Sequence, residues 1–299
     1  MGGAVNVDGL IVVDKPAGMT SHDVVARIRR LARTRRVGHG GTLDPMATGV
    51  LIIGVNRATR LLTYVIGAGK SYTATIRLGQ TTITDDAEGD VTATVSTAGV
   101  TEAAIRAGLA AQTGEIEQVP SAVSAIKVNG QRAYKRVRDG EEVELAARKV
   151  TISRLDVPAV RRPDDGDFVD VDIDVTCSSG TYIRAIARDL GRTLEVGGHL
   201  TALRRTAVGD LTLASAATLA ELEERAPDVI SLPLAEAARR AFPQREADAE
   251  ETRVLSHGGP LQPVGIEGPY AVFNTAGDVL AIVSERDGKA RAEIVLAPA

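Results

Sequence analysis

The sequence predicts an α+β fold, with a large domain over residues 1–240 and a small β-rich module over residues 241–299. Three observations lead there. The length, 299 residues, is about twice that of a typical domain. Along the first 230 residues, period-two alternation of the kind half-buried strands show is interleaved with amphipathic helical stretches. Beyond residue 230 the texture changes to short alternating segments separated by turns.

In order, Leu10-Ile11-Val12-Val13 reads as a short buried strand, ended by Asp14-Lys15-Pro16-Ala17-Gly18. Ser21 is the expected N-cap of a helix whose Val24, Val25, Ile28 and Leu31 share one face, with Arg27, Arg29, Arg30 and Arg33 elsewhere. A glycine-rich loop, Val37 to Gly49, leads to a strand Val50–Val55. Tyr72 to Leu78 alternates and stops at Gly79, and an acidic turn, Thr84 to Gly89, leads to a strand Val91–Val95. Thr101 caps a helix ending near Thr113-Gly114. Pro120 to Gly140 is polar, basic and punctuated by glycine, and reads as a protruding loop. In Phe168–Cys177, Val169, Val171, Ile173 and Val175 face one way and Asp170, Asp172 and Asp174 the other, a half-buried strand. A helix follows from Tyr182 to Leu190, stopped by Gly191. The Ala-rich stretch 235–241, Pro243 and the acidic run 246–251 read as a connection to strands at 270–273, 279–284 and 291–296.

At 44% hydrophobic and 25% charged, the composition is that of a soluble globular protein and excludes disorder. No apolar run approaches the roughly 20 residues that span a bilayer, and none resembles a signal-peptide core. The single cysteine, Cys177, excludes an internal disulfide and a cysteine-cluster metal site. A cytoplasmic protein without a membrane partner is expected. The net charge of −4 hides an asymmetry: residues 1–80 carry +7 and residues 121–140 carry +4, while acid collects in 81–90, 164–174 and 221–251. Exposed charges are screened within about 10 Å, so a basic face on an acidic protein can still attract a polyanion.

Standard catalytic motifs are missing. There is no GxGxxG after a strand, no Walker loop, no HExxH and no GxSxG, and the four histidines (22, 39, 199, 257) are too scattered for a metal box. Neither metal nor organic cofactor is expected, which leaves carboxylate, arginine and tyrosine chemistry. The best candidate is the loop from Arg36 to Gly49, whose glycines allow close ligand approach and whose Pro45 holds Asp44 on an extended piece.

Within that loop, Gly38 to Leu51 reads GHGGTLDPMATGVL and resembles the pattern GHxGxLDPxAxGxL of the TruB family of bacterial tRNA pseudouridine-55 synthases. Five further blocks occur in family order. Asp14 to Ser21 is similar to DKPxGxxS; Lys70-Ser71-Tyr72 with Arg77-Leu78-Gly79-Gln80 resembles KxY…RLGxxT; Pro120-Ser121 with Ser124 to Lys127 resembles PSxxSAxK. Cys177 to Arg184 resembles CSxGTYIR, and Gly198 to Arg205 resembles GAHxxxLRR. Together they cover residues 10 to 210.

The resemblance implies a mixed, largely antiparallel sheet in the catalytic domain (the pseudouridine synthase fold), an RNA-clamping insertion at about 120–140 and a PUA-like C-terminal domain. It implies isomerisation of uridine 55 in the T arm of tRNA, by flipping the base and breaking the N1–C1′ bond before rejoining through C5. Asp44 takes the position of the catalytic aspartate, with three roles open: attack at C1′, attack at C6, or base at the sugar. Arg184 is implied to pair with that carboxylate, which would lower its pKa and keep it ionised. Tyr72 is implied to stack on the uracil, and His39, Tyr182, Leu203 and Asp86 to form the substrate pocket, Asp86 touching the T loop although Ile83 stands where the family has an acid. Lys15, Arg35, Arg36, Lys127, Arg132, Tyr134, Lys135, Arg136 and Arg138 are the expected RNA contacts. A monomer without an obligatory protein partner is expected. Two rivals stay open: a relative guided by another RNA, and a tRNA-binding folding chaperone in which catalysis is secondary.

Overall fold

Period-two burial dominates the molecule: in the strand Val169–Cys177, every odd-numbered residue is buried and every even-numbered one half-buried. The computed structural model describes residues 8–121, 145–164 and 166–297, and the backbone alone of 127–128 and 131–132. Its strands in the first half are β1 (Gly9–Lys15), β2 (Val37–Gly40), β3 (Thr48–Val55), β4 (Lys70–Leu78), β5 (Gln80–Thr82), β6 (Val91–Thr94), β7 (Gly114–Gln118), β8 (Lys127–Val128) and β9 (Gln131–Arg132). Then come β10 (Arg148–Arg161), β11 (Val169–Cys177), β12 (Gly198–Val208), β13 (Leu211–Thr212), β14 (Leu232–Pro233), β15 (Gln244–Glu246), β16 (Tyr270–Phe273), β17 (Val279–Arg286) and β18 (Lys289–Val295). The helices are α1 (Ser21–Leu31), α2 (Leu62–Gly67), α3 (Glu102–Ala110), α4 (Ile183–Thr193), α5 (Leu219–Arg225), α6 (Leu234–Ala241) and α7 (Ala249–Ser256).

The main sheet has the order β14-β1-β3-β12-β4-β11-β10-β7, with β2 beside β3 and β13 beside β12. All its pairings are antiparallel except β12 with β3, which is the mixed, largely antiparallel sheet expected. Alternate residues of β1 and β3 serve two cores. Ile11, Val13, Leu51 and Ile53 join α1, α3 and α4 on one face. Leu10, Val12, Val50 and Ile52 join Leu61, Leu62 and Phe242 on the other. Each buried aliphatic side chain contributes about 1.5–3 kcal/mol. Helix α4 approaches the sheet closely because Gly191 has no side chain: a Cβ there would lie 2.2 Å from the Gly197–Gly198 backbone.

Four expectations need correction. Gly191 does not stop α4, which runs on through it to Thr193. The N-cap of α1 is Thr20, in a capping box with Asp23, and Ser21 is buried instead. Residues 37–40 are strand, not loop, because they pair with β3. Residues 235–241 are not a connection: in α6, Leu234, Ala237 and Ala238 are buried in the core that β1 and β3 share with Phe273, Val279, Ile282 and Leu296. The acidic run continues into α7, capped by Asp248 and Glu251. A separate four-stranded sheet, β15-β16-β17-β18, forms the C-terminal module around Leu255, Leu261 and Tyr270. Among the described residues no helix is long and apolar enough to cross a membrane.

Candidate active site

The β2–β3 hairpin loop, the first turn of α4 and the facing strands β4 and β12 converge on one pocket of about 350 Å³. Asp44, Tyr72, Tyr182, Arg184 and Leu203 line it, together with Gly41, Lys70, Ser179 and Arg205.

The loop that carries Asp44 is held through its backbone. Ser21 Oγ accepts from the Leu43 amide (2.9 Å) and donates to the Leu43 carbonyl (3.1 Å). The buried Lys15 ammonium donates to the carbonyls of Pro16 (2.9 Å), Met19 (2.5 Å) and Pro45 (3.1 Å). The buried Arg205 guanidinium donates to Val50 (2.6 Å), Gly41 (3.2 Å) and Thr42 (3.5 Å) carbonyls. Gly49, at φ +94°, completes the frame: a Cβ there would meet the Arg205 carbonyl oxygen at 2.1 Å, so only glycine lets β3 run beside β12. Residues 43 and 45 are thus both pinned, and the carboxylate between them is presented from a rigid loop.

Arg184 organises the charges. Its Nε lies 3.1 Å from Asp44 Oδ2, its Nη1 lies 3.5 Å from Asp86 Oδ2, and Nη1 donates to the Thr84 carbonyl at 2.7 Å. The two carboxylates differ in setting: the Asp44 side chain is 36% exposed toward the pocket, that of Asp86 only 3%. Burial, aided by Asp86, lifts the Asp44 carboxyl above the ordinary aspartate range, while Arg184 and Lys15 pull it down. The expected lowering by Arg184 is therefore present but outweighed, because the carboxylate sits on a desolvating pocket floor. Burial likewise raises the Tyr72 hydroxyl and lowers the Lys70 ammonium. A carboxylate raised in pKa is a stronger base and nucleophile, and the guanidinium fixes its direction.

The other expected residues fall in different places. His39 lies on β2 and does not line the pocket; its ring meets His22 edge-on at 5.3 Å. Asp86 is buried behind Arg184, where it accepts from the Thr84 hydroxyl (2.5 Å) and the Glu88 amide (3.0 Å), so it faces protein rather than ligand. Lys15 is no surface contact: its ammonium is fully enclosed by three carbonyls. Arg35 and Arg36 are exposed just before β2. Lys127 and Arg132 pair in the backbone of the β8–β9 hairpin, their side chains lying outside the described residues; Tyr134, Lys135, Arg136 and Arg138 lie outside them entirely. Sequence reasoning missed Ser21, Lys70 and Arg205 as parts of this site. For Arg205, the signal was period two along β12, which puts it on the same face as Leu203. Among the described residues no group of three or more His, Cys, Asp or Glu is placed to hold a metal ion.

Residues 29–183 match the model of the TruB family pseudouridylate synthase N-terminal domain. The chain belongs to the TruB family. Residues 184–228 match the tRNA pseudouridylate synthase B C-terminal domain, and residues 242–297 the C-terminal domain of tRNA pseudouridine synthase II. A tRNA pseudouridine synthase B of Thermobifida fusca (strain YX) is 58% identical over 292 residues, covering 97% of this chain and 99% of the relative. One of Arthrobacter sp. (strain FB24) is 56% identical over 301 residues, covering 98% and 97%. Among solved structures, a chain of the archaeal box H/ACA sRNP Nop10-Cbf5 complex aligns with a TM-score of 0.69 at 27% identity, covering 97% of this chain and 86% of the other. The pocket described above thus lies where the TruB-family and C-terminal models meet, with Arg184 at their junction.

Proposed function

We propose that this TruB-family chain converts uridine 55 in the T loop of tRNA to pseudouridine, as the name of its relatives, tRNA pseudouridine synthase B, suggests for the RNA class. The observation that carries the reading is the contact of Asp44 with the buried Arg184 on the floor of a pocket lined by Tyr72 and Leu203. A base within a folded loop must leave its stack to be processed, at a cost of a few kcal/mol, and be read in such a pocket.

In the reaction the N1–C1′ bond breaks, the uracil turns, and a C5–C1′ bond forms; C5 loses its proton and N1 gains one, so the product is an isomer. The pinned carboxylate of Asp44 serves as nucleophile or base at the moment of bond cleavage. Arg184 keeps it aimed and Asp86 keeps Arg184 aimed, a relay of two ion pairs. Tyr72 offers a ring to the displaced uracil, and Leu203 keeps water from the cleaved sugar. The exposed Arg35 and Arg36, with the basic insertion, supply phosphate contacts whose strength falls with salt.

The test is a tRNA transcript incubated with the protein, then mapped by carbodiimide adduct formation and primer extension. A stop one nucleotide 3′ of position 55, absent when that uridine is replaced by cytidine, is the expected result. Binding without any adduct would leave an RNA-binding protein, and a stop elsewhere would refute the choice of uridine.

A further inference from the structure

We propose that the C-terminal sheet sets the position of the pocket wall, acting through the helical segment 56–67 and the hydrogen bond between Tyr64 and Glu293. The proposal rests on the site assignment above and adds two positioning residues remote from the reacting atoms.

Segment 56–67, a 3₁₀ turn continued by α2, has three neighbours. Its C-terminal end is pocket wall: Ile66 lines the pocket, and its carbonyl accepts from Lys70 Nζ (2.9 Å) and Ser179 Oγ (2.8 Å), both pocket residues. One side rests on the strand that feeds the Asp44 loop. Gly40 leaves the space that Leu62 and Val65 fill, a Cβ there falling 3.3 Å from each. The other side is tied to the C-terminal module. Tyr64 donates to Glu293 Oε2 at 2.6 Å and sets its ring edge-on to Phe242 at 4.8 Å. Arg57 donates to the Leu296 carbonyl (2.9 Å) and Arg60 to that of Val295. Beneath them Leu61 and Leu62 share a core with Phe273, Val279 and Leu296.

The C-terminal module therefore grips the segment by three polar contacts, from Glu293 and Val295 of β18 and from Leu296 just beyond it, and by one apolar layer. Burial, reinforced by Glu293, pushes the Tyr64 hydroxyl up to about 12, so it stays a donor at neutral pH. Glu293 is itself held, accepting from Ser284 Oγ at 2.5 Å with Arg286 at 3.5 Å. Slippage at this junction would move Ile66, Lys70 and the strand leading to Asp44 together. Displacements of that kind cost rate rather than binding, because they disturb the geometry of attack.

The experiment is steady-state kinetics of the full chain on a T-arm stem-loop and on whole tRNA, for Tyr64→Phe, Glu293→Ala, Glu293→Gln and the double variant Tyr64→Phe/Glu293→Ala. Tyr64→Phe keeps the ring against Phe242, and a thermal melt checks that each variant is folded. Tyr64→Phe and Glu293→Ala should each lower kcat on the stem-loop by about tenfold, with KM little changed. Glu293→Gln, whose amide oxygen still accepts from Tyr64, should recover most of the rate. The double variant should be no worse than the poorer single one. Unchanged kcat in both single variants, or a loss confined to KM on whole tRNA, would overturn the proposal and make the C-terminal sheet an RNA-holding element only. A wild-type protein inactive on both RNAs would contradict the assignment of the site itself, and the positioning role with it.

Discussion

The hairpin loop 41–47 and the turn 82–89 each bring one aspartate to Arg184, and they treat it in opposite ways. In the turn, Asp86 is buried and its carboxylate is occupied: Thr84, the Glu88 amide and Arg184 all meet it. In the hairpin loop the backbone is what is occupied, by Ser21, Lys15 and Arg205, while the Asp44 carboxylate meets Arg184 and keeps an edge open to the pocket. Side chains of the same type thus separate into a buried support and a carboxylate left open to the pocket, according to where their hydrogen bonds are spent. Rigidity can be supplied through carbonyls, leaving the carboxylate available. Burial then raises its basicity without leaving it misdirected.

Replacing the shared cation strikes both sides at once. Arg184→Lys keeps the charge but loses the fork that touches Asp44, Asp86 and the Thr84 carbonyl together. Turnover should fall by about 10²–10³-fold, with RNA affinity retained. Single-turnover kinetics beside a filter-binding titration would separate the two, and a loss seen only in affinity would contradict the assignment.

Asp86→Asn sharpens the comparison. The amide preserves shape but removes a negative charge that raises the Asp44 pKa, so that pKa should drop. The acid limb of the pH profile of kcat/KM should move to lower pH, with about a tenfold loss at the optimum from a less well held Arg184. An acid limb that stays put would mean that Asp44 does not govern it.

The smallest effect concerns stability. A carboxyl whose folded-state pKa lies above its unfolded value of 3.8 loses its proton first in the unfolded chain, so stability falls as pH rises through that interval and the full penalty is present at neutral pH. Asp44→Asn should therefore raise the melting temperature slightly at pH 7, by about a few degrees at most, and the gain should shrink in acid. A lower melting temperature at pH 7 would indicate that the Arg184 contact, not desolvation, dominates the folded state.

Much of this site was legible in the sequence because its signals are local. Pro45 and the surrounding glycines mark a presented carboxylate and alternation from Tyr72 to Leu78 marks β4, while Arg184, Leu203 and the role of Tyr72 were legible only through the resemblance of their motifs to the TruB family. What was hidden depends on distant partners. Lys15 in a Pro/Gly turn looks like a surface cation; only the meeting of residues 15 and 45, thirty positions apart, encloses it. In the pair Arg204-Arg205, one residue turns to Asp14 and the other into the loop frame, a division set by strand register. The Ala-rich segment 235–241 lies between prolines and its buried face is short, so the helix became visible only with β16 and β17 packed against it. Ser21 lost its expected capping role to Thr20 by one position, within the ordinary uncertainty of helix ends.

Asp44, not its better-bonded neighbour Asp86, is the residue proposed to do the chemistry. The most direct measurement is tritium release from T-arm RNA labelled at uridine C5, with wild type, Asp44→Asn and Asp86→Asn compared at equal RNA occupancy. Release by the wild type, reduced release by Asp86→Asn and none by Asp44→Asn is the expected result. Equal release by wild type and Asp44→Asn would contradict it and leave Asp44 as a residue of the turn.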